Sequence, residues 1–217
     1  MNWSAFDDCF ITSDFHFWHK NILKYEPNSR NFRSLEEMNE AILEQVDALP
    51  NGSTLINLGD LYLSFKVNND EVKKIVQRMK NNNKQLIIIL GNHDKNIKGA
   101  NNVAEYFKWL GFNEVKEAPF KFMEYEFSHE PVLVERPTDD LQGFTGSFPP
   151  VICIHGHTHS KMVDENYFLE SKNIKTNPDR YINVCWDVEK KIYHLPEIMK
   201  LAEKKRLDYI NSWRDRV

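Results

Sequence analysis

No stretch of this sequence approaches the roughly 18 consecutive apolar residues that a membrane-spanning helix needs, so the chain is expected to stay off the bilayer. Asp7 and Asp8 interrupt the first apolar stretch and no basic segment precedes it; a secretory leader is therefore not expected, and the cytoplasm is the expected compartment. Cysteine is scarce. Cys9, Cys153 and Cys185 form no Cys-x-x-Cys pair, which excludes a Cys₄ structural zinc site, and their apolar contexts read as buried free thiols. Positive charge is not in excess: Lys and Arg total 28 against 32 for Asp and Glu, a net charge of -4, so no global field draws the chain to nucleic acid or anionic membrane, although a local cationic site is compatible with it. There is no His-Glu-x-x-His helix, which removes the mononuclear metalloprotease reading. Internal repeats, low-complexity runs and long linkers are also missing. With 217 residues, 41% hydrophobic and 28% charged, the chain reads as one soluble globular domain over 1–217.

What the sequence does contain is a set of short apolar strands, each ending in polar residues able to bind metal or move protons. The clearest is Leu86 to Leu90, apolar throughout and rich in β-branched isoleucine, which reads as a strand buried on both faces and stops abruptly at Gly91-Asn92-His93-Asp94. Taken alone, Gly-Asn-His-Asp could be an ordinary turn or helix cap. The same arrangement recurs. Cys9 to Ser13 runs into Asp14-Phe15-His16, where residues two apart project to the same side, with an N-cap role for Asp14 as the alternative. Ser53 to Leu58 ends in Gly59-Asp60, Phe120 to Phe127 leads to Ser128-His129, and Val151 to Ile154 ends in His155-Gly156-His157-Thr158-His159. Polar groups at the carboxyl ends of strands are where open α/β sheets bind ligands.

Between the strands lie amphipathic helices. Ser34 and Glu37 form a capping box, and Leu35, Met38, Ile42, Val46 and Leu49 follow at helical spacing up to Pro50-Asn51-Gly52. Val72, Ile75, Val76 and Met79 mark a second helix, and Val103, Tyr106, Phe107 and Leu110 a third. The resulting βαβαβα order implies parallel strands. After Gly111 the chain turns β-rich: Glu114 to Lys116 with Phe120 to Phe127 reads as hairpin material, and Tyr181 to Cys185 with Lys191 to His194 as another hairpin. A final helix opens at Pro196, and 136–150, with its prolines and glycines, is the best candidate for a mobile loop. Two sheets facing one another between helical layers are expected.

Of the 8 histidines, only His194 lies apart from these strand ends; His16, His19, His93, His129, His155, His157 and His159 sit in or beside them. Asp, Asn and His donors without thiolate suit borderline-to-hard divalent ions with room left for water.

Asp14-x-His16, Gly59-Asp60, Gly91-Asn92-His93-Asp94, Ser128-His129 and Gly156-His157-x-His159 resemble, in order, the five motifs of the calcineurin-like metallophosphoesterases, most closely the small stand-alone bacterial and phage members. The resemblance extends from about residue 10 to the Asn183-Val184 strand. It implies a four-layer α/β/β/α sandwich of two mixed sheets flanked by helices. It also implies two divalent ions, Mn²⁺ first among candidates with Fe, Zn²⁺, Ni²⁺ and Mg²⁺ as alternatives. One ion would be held by Asp14, His16, Asp60 and His159, the other by Asp60, Asn92, His129 and His157, with Asp60 bridging. By the same resemblance a metal-bridging hydroxide attacks phosphorus, His93 is the proton donor and Asp94 fixes its tautomer. The expected substrate is a phosphodiester, of a nucleotide or short nucleic acid; a phosphomonoesterase is the alternative, and a catalytically weak interaction scaffold the rival from another class. Leu61, Tyr62, Leu63 and Ser64 depart from the acidic residue or asparagine that many relatives carry after Gly59-Asp60.

Several neighbours keep two readings. Phe15, Phe17 and Trp18 are either core or a stacking surface for a nucleobase. Arg30 and Arg33 either clamp a phosphate or belong to a solvated loop. His19 and His155 either support the metal ligands or touch substrate.

Overall fold

The structure, a computed structural model, describes residues 6–62, 68–96, 102–133, 152–172 and 174–214; loop 136–150 and the departures Leu63 and Ser64 lie outside them. The chain alternates strand and helix through β1 (Cys9–Thr12), α1 (Ile22–Tyr25), α2 (Leu35–Asp47), β2 (Thr54–Asn57), α3 (Asn69–Met79), β3 (Gln85–Ile89), α4 (Val103–Leu110) and β4 (Glu114–Lys116). It continues with β5 (Phe120–Phe122), β6 (Tyr125–Ser128), β7 (Ile152–His155), α5 (Leu169–Lys172), β8 (Tyr181–Asn183), α6 (Trp186–Glu189), β9 (Tyr193–His194) and α7 (Leu195–Arg214). Two sheets result, ordered β4-β3-β2-β1-β9 and β5-β6-β7-β8.

In the first sheet β1 to β4 run parallel, with Phe10 opposite Leu55 and Leu55 opposite Leu86, so the carboxyl ends of β1, β2 and β3 open on one edge. In the second, β6, β7 and β8 are parallel and β5 returns antiparallel to β6. Two hairpin expectations are corrected here. Glu114–Lys116 is a parallel edge strand beside β3, because the α4 crossover returns it to the first sheet. Tyr181–Asn183 pairs with β7 while Tyr193–His194 pairs antiparallel with β1; the turn of α6 and the left-handed Lys190 (φ 54°) carry the chain from one sheet to the other.

Period-two alternation divides the first sheet's side chains between two cores. Leu55, Leu86 and Ile88 meet Met38, Ile42, Val46, Val72, Val76, Met79, Phe107 and Leu110 of α2, α3 and α4 on the outer face. Ile11, Leu58 and Ile89 face Tyr125, Phe127, Ile152 and Ile154 between the sheets. Each fully buried large aliphatic contributes about 1.5–3 kcal/mol, enough for these helices to be held by packing rather than propensity. α2 begins where Ser34 Oγ accepts from the Glu37 amide at 3.1 Å, and Glu37 returns the bond one residue earlier than a capping box would, to the Arg33 amide at 2.8 Å. α7 touches β1, β9 and β7, inserting Leu195, Ile198, Met199 and Ala202 into the inter-sheet core. Among the described residues the outer face of the second sheet is covered more thinly, by Val163 and Phe168 packed on Cys153 and Tyr181. No described helix is long and apolar enough to cross a membrane.

Candidate metal centre

The strand exits impose an unusual backbone. Asp14 (φ 60°), His16 (51°), Asp60 (54°), His157 (67°) and His159 (51°) all adopt the left-handed conformation that side-chain-bearing residues avoid, at a cost of about 1–3 kcal/mol each. The surroundings hold them there. The Asp14 amide donates to the Gly59 carbonyl (3.0 Å) and the His16 amide to that of Asp60 (3.1 Å), lacing the first two exits together, while a bridge between Ser13 and Cys185 ties β1 to the end of β8. Two glycines allow the approach: a Cβ on Gly91 would strike Asp60 and His129, and one on Gly156 would strike Ser13 and Asp14.

These turns gather the sequence-predicted donors. Asp14, His16 and His159 form one group whose ligand atoms lie within 4.8 Å of one another, and Asp14, Asp60 and His129 a second. Asp14 is common to both, and Asp60 reaches from the second toward the first: its Oδ2 lies 3.8 Å from His16 Nε2, 3.3 Å from His129 Nε2 and 3.7 Å from His93 Nε2. His129 Nε2 also meets Asn92 Oδ1 at 2.9 Å and His157 Nδ1 at 3.2 Å.

Whether a cation suits this arrangement can be tested on the donors themselves. His129 Nδ1 faces the Leu58 carbonyl at 2.9 Å and must carry a hydrogen there, so in the neutral ring Nε2 is a lone pair aimed at the oxygens of Asp60 and Asn92. Acceptors facing acceptors need a proton or a metal ion between them. Asp14 Oδ1 and both ring nitrogens of His16 are buried without a hydrogen-bond partner, a costly state that a coordinated ion relieves at Asp14 Oδ1 and at His16 Nε2, the nitrogen facing the carboxylates. The residues fit a divalent cation. The protein's own charges point the same way: burial works against both ions, yet the carboxylates of Asp14 and Asp60 hold His129 up to about 9, and His129 and His16 hold Asp14 well below the usual carboxylate range.

His93 is more open than the buried donors, with 39% of its side chain exposed against 2% or less for Asp14, His16, Asp60 and His129 and 21% for His159; its amide donates to Asp60 Oδ1 at 3.0 Å. Asp94 contacts different groups from those expected. Its carboxylate accepts from the amides of Asp60 (2.7 Å), Gly91 (2.9 Å) and Leu61 (3.2 Å), and so fastens the β2 and β3 exits together instead of contacting the His93 ring. Burial, then the nearby Asp60, pushes it up to about 7.

The nucleobase reading of Phe15 and Phe17 is overturned: both are 0% exposed within the outer core, and only Trp18 is partly open. Arg30 is no phosphate clamp either, being buried in a two-bond pair with Asp187, whereas Arg33 is exposed. Asp187 is the residue that sequence reasoning missed. It accepts from His159 Nδ1 at 2.9 Å, and although burial opposes its charge, Arg30 and His159 depress its pKa. No spacing signals it; only the Trp-Asp pair just past the β8 strand lies near the last motif. His155 is buried and donates from Nδ1 to the Gly156 carbonyl (2.9 Å), while His19 packs its edge against His16. Beside His157 and His159 opens a cavity of about 560 Å³, lined further by Glu26, Lys161, Asp164, Tyr167 and Glu170.

With this geometry in hand, comparison with known proteins is informative. Residues 9–210 match the family model of the calcineurin-like phosphoesterases. An uncharacterized protein of Methanocaldococcus jannaschii is 30% identical over 200 residues, spanning 91% of this chain and 93% of its own. A crystal structure of a protein of unknown function from Aquifex aeolicus superposes with a TM-score of 0.55 at 24% identity, covering 89% of this chain and 98% of that one, a likeness of fold.

Proposed function

The chain belongs to the calcineurin-like phosphoesterases, a family of metal-dependent phosphoric ester hydrolases, and from that premise we propose that it cleaves phosphodiesters at a centre of two divalent ions. The observation that carries the two-ion reading is the place of Asp60 Oδ2, between His16 Nε2 at 3.8 Å and His129 Nε2 at 3.3 Å. Asp14, His16, Asp60 and His159 would hold one ion, and Asp60, Asn92, His129 and His157 the other. Donors of nitrogen and oxygen without thiolate suit borderline-to-hard ions such as Mn²⁺, Fe or Zn²⁺, of which Mn²⁺ is the one proposed. When bound, such a pair supplies Lewis acidity at the phosphoryl oxygens and makes water acidic enough to furnish a nucleophile near neutral pH.

The protein's residues do the rest. Buried Asp14 and Asp60 leave the loaded centre net positive and so attractive to a phosphate group. His93, open to solvent beside Asp60, is the proton donor to the departing oxygen, a role that helps most with a poorly leaving alkoxide such as that of ribose. A diester is favoured over a monoester because the cavity beside His157 and His159 leaves room for a second substituent on phosphorus. Its lining carries Glu26, Asp164 and Glu170 against Lys161, which disfavours a long polyanion, so the diester proposed is a small one, of a nucleotide or short oligonucleotide. A binding scaffold has no use for an unburied histidine beside the ligands.

Comparing kcat/KM for bis-aryl and mono-aryl phosphates with the same leaving group tests the substrate class. The diester is expected to be turned over at least as well; a preference of about tenfold or more for the monoester, some 1.4 kcal/mol in the transition state, overturns the claim.

A further inference from the structure

Asp187 and Arg30 form a buried pair placed behind one of the two ligand groups. Arg30 Nε donates to Asp187 Oδ1 at 2.6 Å and Nη2 to Oδ2 at 2.7 Å, and both side chains are 0% exposed. Ser29 Oγ adds a third bond to Oδ1 at 2.8 Å. Each member then reaches a different ligand loop. Asp187 Oδ2 accepts from His159 Nδ1 at 2.9 Å, which leaves His159 only Nε2 as a lone pair. Arg30 Nη1 donates to the Phe15 carbonyl at 3.0 Å and Nη2 to that of Asp14, the two peptide groups between the left-handed turns at Asp14 and His16. The neighbouring Cys185 thiol donates to Asp14 Oδ2 at 3.1 Å. The group formed by Asp14, His16 and His159 is thus braced from one side by Arg30 and by the Cys185–Asp187 segment, which lies 171 residues from Asp14 and 28 from His159 at these contacts.

Among the described residues the other group is held by different means: Asp94 accepts from the amides of Asp60 and Gly91, and of its members only Asp14, common to both groups, touches the Arg30–Asp187 pair. His129 is oriented by the Leu58 carbonyl, and neither it nor Asp60 nor His157 hydrogen-bonds to Arg30 or Asp187. We infer that Asp187 and Arg30 are positioning residues for a single ion site: they fix the tautomer and direction of His159 and the turn carrying Asp14 and His16, and so set the affinity of that site alone. A carboxylate behind a ligating imidazole typically governs metal affinity by about 10- to 100-fold. Arg30 adds a constraint that a lone carboxylate would lack, since a planar guanidinium binding two ways fixes the carboxylate plane as well.

The inference rests on the two-ion reading, and the test separates them. Mn²⁺ alone is titrated into chelator-stripped protein and binding is resolved into classes of site. Wild type is expected to show two. In Asp187→Asn one class should weaken by about 10- to 100-fold while the other keeps its affinity. Should Asp187→Asn not fold, the double variant Arg30→Met/Asp187→Leu replaces the buried pair with apolar groups of similar volume and faces the same criterion. A merely structural brace would lower the melting temperature in chelator and leave the ratio of the two affinities alone; an unchanged ratio, whether both classes shift together or neither shifts, overturns the inference. A wild-type stoichiometry of one ion per chain overturns the two-ion reading instead.

Discussion

Asp60 Oδ2 and His129 Nε2 face each other at 3.3 Å, although the hydrogen of the neutral His129 ring is committed at Nδ1 to the Leu58 carbonyl. The pair is built to share a cation. If Asp60 spans both ion positions, Asp60→Ala removes a ligand from each, and metal content and turnover should vanish together. Elemental analysis of the purified variant checks this; two retained ions per chain would contradict the bridging assignment.

His93→Ala should fail differently. Its ring is far more open than those of the buried ligands and is assigned to no ion, so metal content should stay at the wild-type level while kcat falls by about 10²-fold, the scale of a lost general acid. A His93→Ala protein stripped of metal would make His93 a ligand.

Gly91→Ala probes how closely the β2 and β3 exits approach. The added Cβ would collide with Asp60 Oδ1, the Asp60 amide and His129 Cγ, so about 1–3 kcal/mol of stability should be lost along with most of the metal affinity. Gly52→Ala is the control: unlike Gly91 it has a positive φ, 77°, but a Cβ there meets no atom within 4 Å, so it should cost about 1–2 kcal/mol and leave Mn²⁺ binding intact. Equal metal affinity in the two variants would dissociate the contact from the site.

Mn²⁺ should stabilise the fold, because it relieves the unpartnered Asp14 Oδ1 and His16 Nε2. At about 100 times Kd, one bound ion contributes about 2.7 kcal/mol, and for a chain of this size each kcal/mol raises Tm by about 2–4 °C. Thermal denaturation with Mn²⁺ and with chelator should therefore differ by about 5–10 °C or more. Coincident transitions would mean that the ligands do not bind the ion in the folded state.

Much of this centre was legible in the chain because each donor follows an apolar strand, and a strand that ends at a glycine delivers what comes next to the same edge of the sheet. Leu86 to Leu90 and the helical spacing of Met38, Ile42 and Val46 carried the parallel half for the same reason: long, strongly periodic segments leave little choice of partner. The short strands gave no such guide. Tyr193–His194 has two residues and Tyr181–Asn183 three, too few for alternation to name the sheet they join. Phe15 and Phe17 alternate with ligands, and a sequence does not say that both sides of that segment are covered. Arg30 and Asp187 lie 157 residues apart, and a buried ion pair leaves no local signature.

These side chains are assigned to hold divalent metal in order to hydrolyse phosphate esters. Turnover of bis(p-nitrophenyl) phosphate should be followed on one preparation before chelation, after verified removal of metal, and after addition of Mn²⁺. Activity lost on stripping and regained as metal rebinds is the predicted result; undiminished turnover by protein shown to be metal-free would contradict it.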